Sequence, residues 1–168
     1  MAACLVFWNG GKIMKKVLRW VVLGLAVFLL LSCTTDYARL FNNQRALRAE
    51  EDQFYFRIRN GRINPGMEFQ DYSGINTIWM LNSPGESWIT CSYDLQIDKG
   101  RFKVILISPA GEILNIVETS ISGTRTINLL PGESRIRIVG ARTTGKIDFY
   151  LETGPGIEEK RSPRFEIN

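Results

Sequence analysis

Between residues 88 and 153 the chain alternates apolar and polar side chains, and glycine or proline interrupts the alternation at short intervals. In residues 88–97, Ile89, Cys91, Tyr93, Leu95 and Ile97 share one side, and Trp88, Thr90, Ser92, Asp94 and Gln96 take the other. Successive strand side chains point to opposite faces, so this period of two demands β-structure with one face buried. The pattern recurs in residues 134–139, where Ile136 and Ile138 alternate with Arg135 and Arg137. It recurs again in residues 146–153, where Ile147, Phe149 and Leu151 point inward. Residues 101–108, 113–119 and 124–130 complete the set. Turns are expected at Asp98-Lys99-Gly100, Pro109-Ala110-Gly111-Glu112, Ser122-Gly123, Pro131-Gly132 and Thr144-Gly145, since Asp, Pro and Gly suit turn backbones. Short strands at this spacing predict an all-β fold, a small antiparallel β-sandwich of jelly-roll type.

Upstream the pattern is less regular. Phe54, Phe56 and Ile58 alternate with Tyr55, Arg57 and Arg59 before a turn at Asn60-Gly61. Residues 62–73 contain Asn64-Pro65-Gly66 and read as irregular. Residues 77–81 form a short strand candidate closed by Asn82-Ser83-Pro84-Gly85. The expected organisation is a leader over residues 1–32, a tether over 33–53, the β-sandwich over 54–153 and a C-terminal tail over 154–168. The tether carries Tyr37, Leu40, Phe41 and Leu47 at roughly helical spacing and reads as a short helix or a flexible linker. The tail reads as a loose end, with a closing strand over residues 164–167.

The leader resembles that of bacterial lipoproteins. Lys15, Lys16 and Arg19 make a basic start, and residues 20–31 form an apolar run of about twelve, within the range of a secretory signal and short of the roughly twenty residues a spanning helix needs. Leu30-Leu31-Ser32-Cys33 then matches a lipobox. The resemblance implies cleavage before Cys33, acylation of its thiol (palmitate-type chains) and anchoring to a bacterial cell or outer membrane on the extracytoplasmic side. Two or more acyl chains hold a protein firmly at a bilayer. Thr34 after the cysteine favours the outer membrane where there are two membranes. Met14-Lys15-Lys16 is the expected start of translation, because residues 1–13 add nothing to the signal.

Composition narrows the function. Four of the 21 basic residues and none of the 17 acidic ones lie in residues 1–32, so the remainder is neutral despite the formal charge of +4. Nucleic-acid binders carry a clustered basic surplus, so no nucleic-acid partner is expected. The chain has no histidine, which removes the commonest general base and zinc ligand. Cys91 is expected to be a small buried hydrophobe. No cofactor, metal or catalytic residue is expected.

Residues 88–152 resemble the small β-sandwich modules akin to bacterial pre-peptidase C-terminal domains. The shared features are Gly100-x-Phe102-x-Val104 with Pro109-x-Gly111, Ile127-x-Leu129-x-Pro131-Gly132 with Ile136-x-Ile138, and Gly145-x-Ile147-x-Phe149. These are turn and core positions. The resemblance implies a non-catalytic binding role and transfers no functional residue.

Candidate ligand-binding residues follow from side-chain chemistry. Trp79, Trp88 and Tyr72, with Phe69, could stack on sugar rings; the alternative is a second small core under the 62–73 loop. Arg57 and Arg59, with Arg62, could hold anionic groups of an envelope polymer; the alternative is a solvated strand face. Asp94, Asp98 and Asp71 offer oxygen ligands for calcium, against ordinary turn roles. Glu86, Glu112, Glu118 and Glu133 lie in or beside expected turns, which argues against a paired-carboxylate hydrolase. The expected function is an anchored envelope protein whose non-catalytic domain docks a protein partner, with carbohydrate or glycopolymer binding as the alternative.

Overall fold

The computed structural model describes residues 37–60 and 66–162, with the side chains of residues 37, 38 and 54–60 left aside. The leader, Cys33, Arg62 and the strand expected over residues 164–167 lie outside the described residues. A 3-10 helix (Tyr37–Asn42) and a one-turn helix α1 (Gln44–Arg48) precede seven strands: β1 (Gln53–Asn60), β2 (Met67–Ser83), β3 (Ser87–Ile107), β4 (Ile113–Val117), β5 (Ile121–Leu129), β6 (Gly132–Thr153) and β7 (Glu158–Arg161). All pairings are antiparallel, in the order β1-β2-β6-β3-β4, with β5 added to β3 and β7 to β2.

Three strands are far longer than their sequence punctuation suggests. The glycine-containing segments at residues 98–100 and 144–145 do not reverse the chain but bend it. The β3–β6 register slips on either side of Lys99, which pairs with Thr144, and β2 slips at Phe69/Tyr72 and Tyr72/Gly74. The slips align across the sheet, and Asp71 (φ 54), Gly100 (φ 80) and Arg142 (φ 53) supply the left-handed backbone there. A Cβ at Gly100 would lie 2.2 Å from the Arg142 carbonyl oxygen, so only glycine lets the two bends nest. True turns form where proline joins glycine. Gly111 N–H donates to the Ser108 carbonyl at 2.9 Å, and Ser83 Oγ donates to the Gly85 carbonyl at 2.6 Å.

The bend line divides one hydrogen-bonded sheet into two leaves that close over a shared core, giving the antiparallel β-sandwich. Residues 67–70, 87–97, 121–129 and 145–153 make the first leaf; residues 74–83, 101–107, 113–117 and 132–141 make the second. Ile89, Cys91, Leu95, Ile147 and Phe149 of the first leaf join Leu81, Phe102, Val104, Ile136 and Ile138 of the second in one buried cluster. Phe69 stacks on Phe102 at 4.6 Å between ring centroids.

The second leaf is apolar on its outer side as well. Ile75, Ile105, Ile107, Val139 and Ala141 form a separate buried cluster with Phe41 and Leu47. The unbroken run Val104-Ile105-Leu106-Ile107 therefore reflects a strand covered on both faces. Its cover is the segment expected as a tether, and here the structure departs from the sequence expectation. Residues 37–52 are a docked cap, because the outer apolar patch has to be shielded from water. Burying Phe41 and Leu47, each 1 % exposed, stabilises the cap by about 2–3 kcal/mol apiece. Asn43 caps α1 by accepting from the Arg45 and Ala46 N–H groups at 3.1 and 3.2 Å.

Arg137 fastens the cap from below. It is fully buried and donates to the carbonyls of Leu47 (2.8 Å), Ala49 (2.6 Å) and Glu51 (3.1 Å) and to Asp52 Oδ1 (2.9 Å). Burial pulls its guanidinium down from the ordinary value, and the Asp52 hydrogen bond and charge pull it back. The tail also differs from expectation. Residues 158–161 pair with Trp79–Asn82 as an added edge strand, which the polar sequence Glu-Glu-Lys-Arg gave no apolar signal to reveal.

Candidate functional site

The outer side of the first leaf is the part of the sandwich that nothing among the described residues covers. Its geometry follows from the β5-β3-β6 register. Trp88 lies beside Asn128; Thr90 sits between Thr126 and Glu152; Ser92 sits between Thr124 and Tyr150; Asp94 sits between Ser122 and Asp148. Side chains at paired positions share a face, so these residues form one array. Trp88 is 36 % exposed and Tyr150 46 %. They stand about 14 Å apart, four residues along β3 and one strand across.

From Trp88 past Tyr150 runs a ladder of hydroxyls. Thr90 and Thr126 hydroxyls lie 3.1 Å apart, as do those of Ser92 and Thr124. Ser122 Oγ donates to Asp94 Oδ1 at 2.8 Å. Beside Tyr150, the side chains of Ser92, Asp94, Ser122, Thr124 and Asp148 rim a shallow depression of about 460 Å³. Gly123 pairs with Tyr93, and a Cβ there would lie 3.2 Å from the Tyr93 hydroxyl. Trp88 is held in place at the opposite end. The Gly154 N–H donates to its carbonyl at 2.8 Å, and a Cβ at Gly154 would reach its indole at 3.2 Å. The array offers two flat apolar surfaces, a row of hydroxyl donors and acceptors, and the carboxylates of Asp94, Asp148 and Glu152.

The structure separates the residues singled out in the sequence. Trp88 belongs to this face. Trp79 and Tyr72 do not: both lie in the main core at 2 % and 1 % exposure, so neither can stack on a ligand. Trp79 packs against Phe149 at 5.5 Å. The Tyr72 hydroxyl lies 3.3 Å from Asn76 Oδ1 and 3.2 Å from the Ile138 carbonyl. Burial first, and then the charge of Asp52, hold that phenol well above its usual range. The irregular 62–73 loop that prompted the exposed reading gives way to β2 from Met67 onward, and β2 threads both rings into the core. Arg57 and Arg59 lie on β1, next to its two register slips against β2.

Cys91 is fully buried, and desolvation pushes its thiol up to about 12 against a smaller opposing pull from Arg125. Asp98 accepts from Gln96 Nε2 at 3.0 Å, and among the described residues no three His, Cys, Asp or Glu side chains converge on a metal position. Glu133 lies 4.0 Å from Arg135, and Glu118 accepts from Asn115. Tyr150 is the site residue the sequence reading passed over. The alternation that put Ile147, Phe149 and Leu151 inward already placed it on the outer face.

No family model matches the sequence, and no curated protein matches it. Among solved structures, the chain is similar to an exo-β-1,3-galactanase from Phanerochaete chrysosporium with galactose, at 18 % identity and a TM-score of 0.40, over 64 % of this chain and 28 % of that one. It is also similar to Xyl-CBM35 in complex with a glucuronic acid containing disaccharide, at 12 % identity and TM-score 0.36, over 65 % and 81 % of the two chains. A family 35 carbohydrate binding module from an environmental isolate gives 13 % identity and TM-score 0.36, over 67 % and 91 %.

Proposed function

We propose that this chain is the non-catalytic binding domain of a lipid-anchored bacterial envelope protein, and that the β5-β3-β6 face binds carbohydrate. One observation carries the carbohydrate reading. Trp88 stands exposed at one end of a strip of serine, threonine and aspartate side chains, and Tyr150 stands exposed along its β6 side, level with Ser92. An aromatic face stacks on the C–H face of a sugar ring, and the strip supplies partners for its hydroxyls. Exposed Trp and Tyr also occur at protein interfaces, but the Ser and Asp side chains around them are of types depleted there, which favours a hydroxyl-rich ligand over a docked protein. Trp88→Ala and Tyr150→Ala are each expected to weaken glycan-array binding by about tenfold, the loss of one stacked ring, with the fold retained and only a small loss of thermal stability. Array signal that survives both substitutions overturns the assignment.

The anchor rests on Leu30-Leu31-Ser32-Cys33. Cys33→Ala is expected to move the full chain from the detergent phase to the aqueous phase in detergent partitioning, since acyl chains supply most of the membrane affinity. Unchanged partitioning would refute acylation at that thiol.

A further inference from the structure

A groove of about 590 Å³ separates the N-terminal cap from β4, with Asn42, Arg48, Lys103, Glu112, Asn115 and Glu118 among its lining. Lys103 is its unusual member. The residue is 5 % exposed, and lysine is almost never buried without a partner of opposite charge. Its Nζ lies 3.2 Å from the Asn42 amide oxygen and 4.4 Å from the Phe41 ring centroid. Neither contact carries a full negative charge; the charge that favours the ammonium comes from Glu118, beyond ion-pair distance, while the neighbouring Arg101 opposes it. An ammonium has three donors; Asn42 and the Phe41 ring take two, which leaves one for a ligand. Arg48 is turned aside, its Nε donating to the Gly111 carbonyl at 2.7 Å. The β4 side of the groove is acidic, with Glu112 and Glu118 both exposed.

The geometry points to a second binding site, for a small zwitterion whose carboxylate pairs with Lys103 and whose amine faces Glu112 and Glu118. A dianion such as phosphate would gain the lysine but meet two carboxylates of its own sign. A neutral sugar would bring no charge to either the lysine or the carboxylates. The α-amino carboxylate group occurs in a free amino acid, and a peptide presents the same two charges farther apart. The inference is independent of the carbohydrate face, which lies on the other leaf.

The test is titration of the full chain, followed by calorimetry and amide NMR, with glycine, glycylglycine, acetate and methylamine. Glycine or glycylglycine is expected to bind and to shift the Asn42, Lys103 and Asn115 signals; whichever binds more tightly identifies the spacing. Acetate and methylamine are expected to bind at least about tenfold more weakly, each having lost one charged contact. Lys103→Met is expected to abolish binding. Glu118→Gln, which leaves the cap contacts of Lys103 intact, is expected to narrow the gap between glycine and acetate. The absence of a shift with all four probes overturns the proposal. So does acetate binding as tightly as glycine, or glycine affinity unaltered in both variants.

Discussion

Asp52→Ala lowers the stability of the domain by about 3–5 kcal/mol, the loss expected when one member of a buried ion pair is removed and its partner is left uncompensated. Asp52 immediately precedes β1 and accepts from Arg137 Nη2 at 2.9 Å, the Thr77 N–H at 2.8 Å, the Thr77 hydroxyl at 3.0 Å and Asn76 Nδ2 at 3.3 Å. Removing it strands a guanidinium with no exposed surface, whose Nε already lacks a partner among the described residues. Urea unfolding measures the loss, and a change below about 1 kcal/mol would show that water solvates the pair. The double variant Asp52→Ala/Arg137→Met should cost less than the sum of its single changes, because the stranded charge is gone. Hydrogen exchange gives the local counterpart. The α1 amides should open before those of β3 and β6, since Arg137 joins the cap to the sheet.

The same residues mark where sequence reasoning succeeded and where it stopped. Alternation placed Ile89, Cys91, Leu95, Ile136, Ile138, Ile147 and Phe149 inward, and all of them are buried in the sandwich core. Period two reports which side of a strand is apolar, and on the first leaf that is the whole answer. On the second leaf the outer side is covered too. Arg135 and Arg137 alternate with Ile136 and Ile138, which by period two alone only puts them on the side away from the core. Nothing local distinguishes an exposed arginine from one buried under a segment some 85 residues earlier in the chain, the spacing between Asp52 and Arg137. Glycine was misread for a related reason. Gly100 supplies a positive φ, and that conformation serves a chain reversal or a bend equally well. Only the pairing of Lys99 with Thr144 across the sheet shows that β3 continues.

The candidate site was half legible, and the two tryptophans that the sequence offered for it give the sharpest test of the division. Trp79→Ala is expected to cost about 3–5 kcal/mol, as for a large aromatic residue excised from a packed core. Trp79 is 2 % exposed, packs on Phe149, and is flanked by the Arg161 guanidinium 5.4 Å from its ring. Excision would open a cavity between the leaves and loosen β7, whose Arg161 pairs with Trp79 in the β2–β7 register. Trp88→Ala is expected to cost about 1 kcal/mol, because the ring lies outside the core cluster and is 36 % exposed. Chemical denaturation of both variants under one condition decides the matter. If Trp88→Ala proves as costly as Trp79→Ala, the indole is a packing element and the β5-β3-β6 face has no free ring to offer. If Trp79→Ala is mild, the two leaves do not close over that ring, and the assignment of Trp79 to the core rather than to a ligand fails.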